Sequence, residues 1–246
     1  MAGKLNGQVA IVTGASSGVG QATARKLSEA GATVALAARR KDRLDAIAAE
    51  IGGGTSVHAC DLYDPAANRR LIEDVQARHG RIDILVNNAG SMLSGPLASA
   101  DPENLEKMTS LNFLTPVMAT HAALPAMRAA KRGHLVYIGS LGARFCTPGN
   151  AVYAGTKAAV QVFAETVRKE LVPDGIRVTT IIPGFIETEI VDGVADPGTK
   201  EFFSKFMGSM ELLQPADIAE AIVYAVTQPQ HVSANDIVVR PTAQPN

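Results

Sequence analysis

Apolar runs rich in β-branched residues alternate with helical patterns along the whole chain, and this alternation limits the possible folds most strongly. The runs predict seven strands, over 9–12, 33–37, 57–60, 82–86, 135–138, 178–182 and 237–239. The segments between them predict seven helices. Three cover 41–50, 111–130 and 151–172, one follows the first strand and ends near 29, and three begin at 65, 102 and 215. Continuously apolar strands are typical of parallel sheets covered by crossover helices. The sequence therefore predicts an α/β fold, with a doubly wound, seven-stranded parallel sheet and helices on both faces.

The chain of 246 residues is predicted to form one domain, over 1–246, because no linker rich in Gly, Ser or Pro divides it. One segment, at about 185–212, breaks the alternation. It is rich in large apolar side chains: Phe202, Phe203, Phe206, Met207 and Met210. An apolar insertion after the carboxyl end of a strand favours a substrate lid. A packed surface excursion or a subunit contact is the alternative.

Composition and charge argue against several classes of function. A formal net charge of −1 without a long basic run speaks against a nucleic-acid partner. No apolar run reaches the roughly 18 residues that a membrane span needs. The first residues lack the apolar stretch of a secretory signal, and Cys60 and Cys146 are too few for a disulfide framework. We therefore expect a cytoplasmic protein that binds neither nucleic acid nor membrane.

A glycine-rich turn follows the first predicted strand and opens the first helix. Gly14 permits a tight turn, Gly18 lets the backbone approach a pyrophosphate, and Gly20 lets the helix pack closely on the strand. Backbone N–H groups and the helix dipole then bind the anion. The predicted phosphate loop comprises Gly14, Ser16, Ser17, Gly18, Val19 and Gly20. Glycines that merely ease a turn are the alternative, but the spacing and the context favour a phosphate site.

Two arginines follow the second predicted strand, where many dinucleotide-binding folds place an acidic residue on the ribose hydroxyls. Here Arg39 and Arg40 occupy this place, and the first carboxylate is Asp42. A guanidinium binds a 2′-phosphate well and leaves ribose hydroxyls without an acceptor, so the sequence predicts NADP(H) rather than NAD(H). Alternatively, the two arginines simply solvate the start of a helix.

Polar and small residues follow the third and fourth strands. Asp61 is predicted to accept a hydrogen bond from the adenine amino group, with the backbone of Leu62 beside it, although a capping role is the alternative. Asn88, Ala89 and Gly90 end the fourth strand and are predicted to back the adenine ribose or to shape the sheet edge. Because ligands bind at the carboxyl ends of such strands, all five residues are cofactor-site candidates.

A phenol and an ammonium lie one helical turn apart. Tyr153 and Lys157 share one face of a predicted helix, and Ser140 ends the strand before it. A phenol beside a cation is a tuned acid or base. Asn112 lies in another predicted helix, where it could also be a simple kink or a side-chain contact. A Tyr–Lys pair can be mere surface packing, but the placement of Ser140 favours catalysis.

Together these residues closely resemble the short-chain dehydrogenase/reductase family, from Thr13 through the turn at Pro183 and Gly184. The resemblance implies a Rossmann fold with a nicotinamide cofactor. It also implies that the backbone of Ile186 meets the nicotinamide carboxamide, and that Thr188 reaches the amide or the diphosphate. Pro183, Gly184, Ile186 and Thr188 therefore join the predicted cofactor site.

The resemblance implies roles for the catalytic residues. Tyr153 exchanges a proton with the substrate oxygen while hydride moves, and Lys157 lowers its pKa and binds the nicotinamide ribose. Ser140 stabilises the charge that develops on the substrate oxygen. Asn112 interrupts regular helix bonding and positions a water in a proton relay behind Lys157.

Departures from the usual family pattern are few, and none removes a catalytic group. They lie at Thr115, Gly139, Gly155 and Thr156. The ending Arg240-Pro241-Thr242 is similar to the branch that contains clavaldehyde reductases and 3-hydroxy acid dehydrogenases. The resemblance implies an NADP(H)-dependent oxidoreductase acting on a small carbonyl or alcohol, and the branch favours a polar one over an acyl-carrier thioester. A catalytically silent NADP-binding regulator, or an enzyme of epimerisation or dehydration, are the alternatives.

The predicted helices 111–130 and 151–172 carry more apolar positions than one sheet face can cover. These are Met118, Ala122, Ala126, Val160, Phe163, Ala164 and Val167. In the family that the chain resembles, these helices commonly pair across a two-fold axis, which implies a homo-oligomer, a tetramer rather than a dimer. An entirely internal core is the alternative.

Overall fold

Seven parallel strands form one sheet in the computed structural model. The structure describes residues 3–190, 194 and 196–245, without the side chains of Pro65, Phe202 and Phe206. The strands are β1 (Val9–Thr13), β2 (Thr33–Ala38), β3 (Ser56–Ala59), β4 (Ile84–Asn87), β5 (Gly133–Ile138), β6 (Ile176–Pro183) and β7 (Asp236–Val239). Their order in the sheet is β3-β2-β1-β4-β5-β6-β7. The predicted fold class is confirmed, and the predicted strand ends lie within two residues of the observed ones.

Helices connect the strands and cover both faces of the sheet. They are α1 (Gly18–Glu29), α2 (Lys41–Ile51), α3 (Pro65–His79), α4 (Pro102–Thr109), α5 (Thr115–Ala130), α6 (Ala151–Leu171), α7 (Pro197–Met207) and α8 (Pro215–Val226). Aspartates cap α3 and α4, since Asp64 accepts from the N–H of Ala66 at 2.8 Å and Asp101 from that of Glu103 at 3.0 Å. None of the described helices combines the length and the apolar character that a bilayer span requires.

Helix α7 lies inside the segment 185–212, where we predicted no regular element. The Asp-Pro pattern that begins α3 and α4 recurs at its start, as Asp196 and Pro197. The carboxylate of Asp196 accepts from the N–H of Thr199 at 2.7 Å and so caps the helix. The sequence thus carried the signal for this helix, but the lack of a following strand obscured it.

The predicted helix 111–130 is not regular at its start. Residues Ser110–Leu114 form a π-helical turn between α4 and α5, with Asn112 at its centre. Such turns contain an extra residue and often occur at functional sites. The predicted interruption of regular helix bonding at Asn112 is therefore present.

Alternation along the strands divides the core between the two faces of the sheet. On β1, Ala10 and Val12 pack towards α1, α2 and α8, whereas Val9 and Ile11 pack towards α3, α5 and α6. The core that faces α3, α5 and α6 also contains three of the positions that we expected on a partner-facing surface: Val160, Ala164 and Val167. These three side chains are internal, so that part of the prediction was wrong, whereas Ala122 and Phe163 are half-buried against the same core. Met118 is exposed, as predicted.

Candidate active site

A cleft of about 570 Å³ opens at the carboxyl ends of the strands. Most predicted site residues line it: Gly14, Ser16, Ser17, Gly18, Val19, Arg39, Arg40, Asp61, Leu62, Asn88, Ala89, Gly90, Ser140, Tyr153, Lys157, Pro183, Gly184, Ile186 and Thr188. The exceptions are Gly20 and Asn112, which lie behind the wall. This is the position at which open α/β sheets bind ligands.

The glycines of the phosphate loop are required by close packing. A Cβ on Gly20 would lie 2.3 Å from the carbonyl oxygen of Gly14, so helix α1 could not begin so near the loop with any other residue. Gly14 itself has a φ of 67° and lies against Ala89, whose Cα would be 3.0 Å from an added Cβ. Gly20 therefore packs the helix onto the loop, as predicted, rather than facing the cleft.

Thr13 and Asn88 join the carboxyl ends of β1 and β4. The hydroxyl of Thr13 accepts from the N–H groups of Asn88 and Ala89, at 3.0 and 3.1 Å. The side-chain amide of Asn88 in turn donates to the carbonyl of Thr13 at 2.9 Å. These bonds fix the floor of the cleft, so Asn88 shapes the sheet edge through contacts that the structure shows directly.

The charged end of the cleft is organised around Arg40. Its guanidinium donates to the hydroxyl of Ser16 at 3.0 and 3.1 Å and to that of Ser17 at 2.7 Å. It also donates to Glu189 at 3.1 Å, and Arg43 binds the other oxygen of Glu189 at 3.0 Å. Hydrogen bonds from Arg43 and Arg40 hold the pKa of Glu189 below its usual value. Both arginines predicted to bind the cofactor line the cleft, but Arg40 is the one that contacts the phosphate loop.

Arg39 and Asp61 form the outer wall of the same end. The guanidinium of Arg39 lies over the ring of Tyr63, 5.6 Å from its centroid. Asp61 accepts from the N–H of Tyr63 at 3.1 Å and so shapes a turn while it lines the cleft. The carbonyl of Leu62 accepts from the Thr115 hydroxyl, which gives a structural reason for the unusual threonine at that position.

The catalytic candidates meet near the middle of the cleft. Helix α6 carries Tyr153 and Lys157, and the Lys157 ammonium lies 5.9 Å from the centroid of the Tyr153 ring. The ammonium also donates to the carbonyl of Ile138 at the end of β5, at 2.8 Å. The hydroxyl of Ser140, two residues further on, accepts from the N–H of Gly142 at 3.0 Å. Phenol, ammonium and hydroxyl therefore face one space.

Burial determines the proton affinities of this group. Burial raises the pKa of Tyr153, and a hydrogen bond with Ser140 partly opposes this effect. Burial lowers the pKa of Lys157 to about 8. We expected Lys157 to lower the pKa of Tyr153, but the net shift is upward because desolvation dominates. The phenol is consequently protonated at neutral pH, which is the form that can donate a proton.

Asn112 connects the loop after β4 to helix α6. Its side-chain oxygen accepts from the N–H of Ser91 at 2.9 Å, and its amide donates to the carbonyl of Ser91 at 3.0 Å and to Thr156 at 3.1 Å. A Cβ on Gly90 would come within 3.2 Å of the same oxygen and 3.6 Å of the Lys157 ammonium. Asn112 thus sets the position of Gly90 against Lys157, and Thr156 gains a structural role.

Several cleft residues were not predicted from the sequence. Gln244, near the end of the chain, accepts from the N–H of Phe185 at 3.1 Å, and a Cβ on Gly184 would lie 2.2 Å from the same oxygen. Gly184 is therefore needed so that the tail can pack against the turn after β6. Nothing local in the sequence could predict this long-range contact. Glu189 directly follows the predicted Thr188 and could have been included with it.

Two of the large apolar side chains of the segment 185–212 reach the cleft. Phe203 and Met207, one turn apart on α7, line the cleft. Met210 lies outside the wall, and the side chains of Phe202 and Phe206 fall outside the described part of the structure. The two ends of the segment are joined, since the backbone N–H of Glu187 donates to the carbonyl of Leu213 at 2.9 Å.

Comparisons with known proteins agree with this geometry. A family model for short chain dehydrogenases matches residues 8–197. An uncharacterized oxidoreductase of Staphylococcus saprophyticus is 37% identical over 240 residues, which cover 96% of this chain and 97% of that protein. Another, from Staphylococcus aureus, is 37% identical over 238 residues, which cover 96% of this chain and 98% of the relative.

Solved structures are similar over the same length. A metagenomic short-chain oxidoreductase in complex with NADP has a TM-score of 0.83 and 35% identity, covering 97% of this chain and 99% of that one. The closed form of a serine dehydrogenase complexed with NADP+ has a TM-score of 0.90 and 33% identity, covering 97% of both chains. The serine dehydrogenase of Escherichia coli has a TM-score of 0.83 and 31% identity, covering 97% of this chain and 100% of that one. The chain belongs to the short-chain dehydrogenase family of oxidoreductases.

Proposed function

We propose that this protein is an NADP(H)-dependent oxidoreductase that transfers a hydride between nicotinamide and a carbonyl or alcohol substrate. The meeting of Ser140, Tyr153 and Lys157 in one cleft with a glycine-rich phosphate loop carries the proposal. Neither half alone would suffice, because phosphate loops and acid–base pairs both occur in proteins of other functions.

The charged end of the cleft fits a phosphorylated dinucleotide. Loop residues Gly14–Gly20 present backbone N–H groups at the start of α1, which suits a pyrophosphate. Arg39 and Arg40 offer guanidinium donors to a 2′-phosphate. Two similar structures contain NADP or NADP+, which supports the same cofactor here. When bound, the nicotinamide supplies or accepts the hydride.

In the reducing direction, the side chains of this protein donate one proton to the substrate oxygen and stabilise the negative charge that develops on it. Tyr153, kept protonated by burial, donates the proton of its hydroxyl to the substrate oxygen. Ser140 hydrogen-bonds the same oxygen and stabilises its negative charge. Lys157 stabilises the resulting phenolate through its nearby ammonium and binds ribose hydroxyls. In the oxidising direction, the phenolate takes the proton back.

Asn112 acts on this chemistry through position. Its bonds to Ser91 and Thr156 hold the loop after β4 against α6, so that Gly90 and Lys157 keep their spacing. We propose that the relay water expected near Lys157 depends on this connection. Asn112 is therefore a positioning residue.

The reaction class is tested by NADPH oxidation with a panel of aldehydes and ketones. The proposal predicts steady turnover with at least one panel member, and a rate at least about a hundredfold lower after Tyr153→Phe. Tight NADPH binding without any turnover would contradict it and would favour the silent cofactor-binding regulator.

We also propose that the protein is a homo-oligomer, a tetramer rather than a dimer. Exposed apolar side chains in the π-helical turn, on α5 and on α6 support this assembly: Leu114, Met118 and Val162, which are 46%, 39% and 68% exposed. Three further exposed apolar side chains lie directly after α6, on α8 and on the edge strand β7: Val172, Tyr224 and Val238. Light scattering should give about four times the chain mass of 25.7 kDa. A stable monomer at micromolar concentration would contradict the proposal.

A further inference from the structure

We infer that the substrate is a neutral carbonyl compound, or the corresponding alcohol, with an apolar group that occupies a chamber beside Tyr153. The inference rests on the proposed function and names its substrate class. The chamber is the part of the cleft beside Tyr153, and it is lined by Met92, Tyr153, Phe185, Ile190, Phe203 and Met207.

The chamber is a hydrophobic cluster separate from the two sheet cores. Met92, Val194 and Phe203 are 8%, 2% and 5% exposed, and Tyr153 packs directly against them. None of these residues belongs to a strand. A substrate oxygen at the Tyr153 hydroxyl therefore places the rest of the molecule among apolar side chains.

Aromatic and flexible side chains give the chamber its shape. The rings of Phe185 and Phe203 pack edge to face, with centroids 6.2 Å apart. Met92 and Met207 complete the wall, and thioether chains adapt readily to irregular apolar groups. Phe145, 41% exposed, extends the apolar surface of the cleft wall towards solvent.

No cation among the described residues that line the cleft is available to a charged group in the chamber. Among the described lining residues, the cations are Arg39 and Arg40 at the charged end and Lys157, whose ammonium binds the Ile138 carbonyl. The undescribed positions of the neighbouring segment carry no positive charge by sequence: Val191, Asp192, Gly193 and Ala195. Burying a carboxylate in the chamber would leave it without a dedicated partner, which is strongly unfavourable.

The polar residues beside the chamber are neutral and already bonded to one another. Asn150 accepts from the hydroxyl of Ser94, and its amide donates to Thr147 at 3.1 Å. Gln244 holds the backbone of Phe185. These groups shape the wall, and because they are neutral they cannot form an ion pair with a substrate carboxylate. The chamber thus differs from what a zwitterion such as serine, the substrate named for two similar structures, would require.

The test measures kcat/KM for NADPH-dependent reduction of straight-chain aldehydes from propanal to heptanal. Each methylene should raise kcat/KM about fourfold until the chamber is full, since it moves from water to an apolar wall. A matched pair isolates charge: ethyl acetoacetate should be reduced at least about a hundredfold better than acetoacetate.

Two methionines three residues apart provide matched variants: Met207, which ends α7, and Met210 in the turn after it. Met207→Ala enlarges the chamber and should lower kcat/KM for heptanal about tenfold more than for propanal. Met210→Ala is the control, because this side chain lies outside the cleft wall. The ratio of kcat/KM for heptanal to kcat/KM for propanal should be the same in Met210→Ala as in the unaltered protein. Thermal melting checks that both variants fold.

The outcomes separate this inference from the proposed function. If no aldehyde, ketone or keto ester is reduced at its carbonyl group, the proposed function fails. If carbonyls are reduced but kcat/KM is flat along the series, or acetoacetate equals its ester, the substrate class is overturned while the proposed function stands. An equal effect of Met207→Ala and Met210→Ala would also overturn it.

Discussion

The two ends of the cleft differ in both chemistry and origin. The charged end consists of hydroxyls, guanidiniums and Glu189, and its central part is one contiguous loop from Gly14 to Gly20. The chamber end is apolar and combines side chains from distant parts of the chain, such as Met92 and Phe203. The loop is formed by one stretch of sequence, whereas the chamber depends on how distant parts of the chain pack together.

The proposed acid–base group, Ser140, Tyr153 and Lys157, lies between the two ends, and removing its phenol gives the largest expected effect. Tyr153→Phe should lower turnover by at least about a hundredfold, the low end of general acid–base contributions, because the proton donor is lost. NADPH affinity should change little, since the charged end remains intact. Stopped-flow turnover and fluorescence titration measure the two effects.

A matched control for this variant is Tyr137→Phe. The Tyr137 hydroxyl is buried and bonds to Thr120 at 2.7 Å, away from the cleft. Its loss should reduce stability by about 1 kcal/mol and leave turnover within about twofold. Near-normal turnover of the Tyr153 variant would show that the acid–base assignment is wrong.

A change at the charged end should alter cofactor choice but not substrate choice. Arg39→Asp replaces a cation by a carboxylate that can accept from ribose hydroxyls, so the preference for NADPH over NADH should invert, with each affinity changing by about tenfold or more. Relative kcat/KM values along the aldehyde series should stay the same. Kinetics with both cofactors measure the inversion.

Arg43→Ala is the control, because its guanidinium binds Glu189 without lining the cleft. It should change the cofactor ratio by less than about threefold. Equal use of NADH and NADPH by the unaltered protein would contradict the assignment of Arg39.

The pH dependence of reduction should report Lys157. Because burial lowers its pKa to about 8, the free enzyme loses this positive charge above that pH. The neutral amine binds the ribose hydroxyls and stabilises the Tyr153 phenolate less well, so kcat/KM should fall by up to about tenfold for each further pH unit. Lys157→Arg keeps its charge and should show no such fall, although its absolute rate is lower. A flat profile well above pH 8 in the unaltered protein would contradict this interpretation.

The contrast between the two ends also explains what the sequence could predict. Strand positions and the phosphate loop follow from local patterns, so they were predicted closely. The carboxyl ends of the strands brought Ser140, Tyr153 and Lys157 together as expected. The partners of Asn112, by contrast, come from two other segments, and no local pattern identifies Ser91 or Thr156.

The chamber end could not be predicted for the same reason. Gln244 reaches the cleft only because the tail after β7 returns to Gly184. On α7 the sequence shows Phe and Met on more than one face, and only packing decides that Phe203 and Met207 face inward. The start of this helix at Asp196 and Pro197 was predictable from its cap.

The smallest expected effect concerns the ion pairs at the mouth of the charged end. Glu189→Gln removes a carboxylate that neutralises Arg40 and Arg43, so NADPH should bind up to about fivefold more tightly, as exposed pairs contribute little. Glu187→Gln is the control, because Glu187 accepts from Gln214 at 2.8 Å instead. Weaker NADPH binding by the Glu189 variant would mean that the ion pairs retain the cofactor.

The central claim is that hydride passes between nicotinamide and a substrate carbon held beside Tyr153 at the junction of the two ends. The most direct measurement uses NADPH with deuterium on one face of its nicotinamide C4, heptanal as substrate, and mass spectrometry of the alcohol. The account predicts one deuterium on the carbinol carbon from one labelled face and none from the other. Unlabelled alcohol from both labelled forms, or label from both faces, would contradict it.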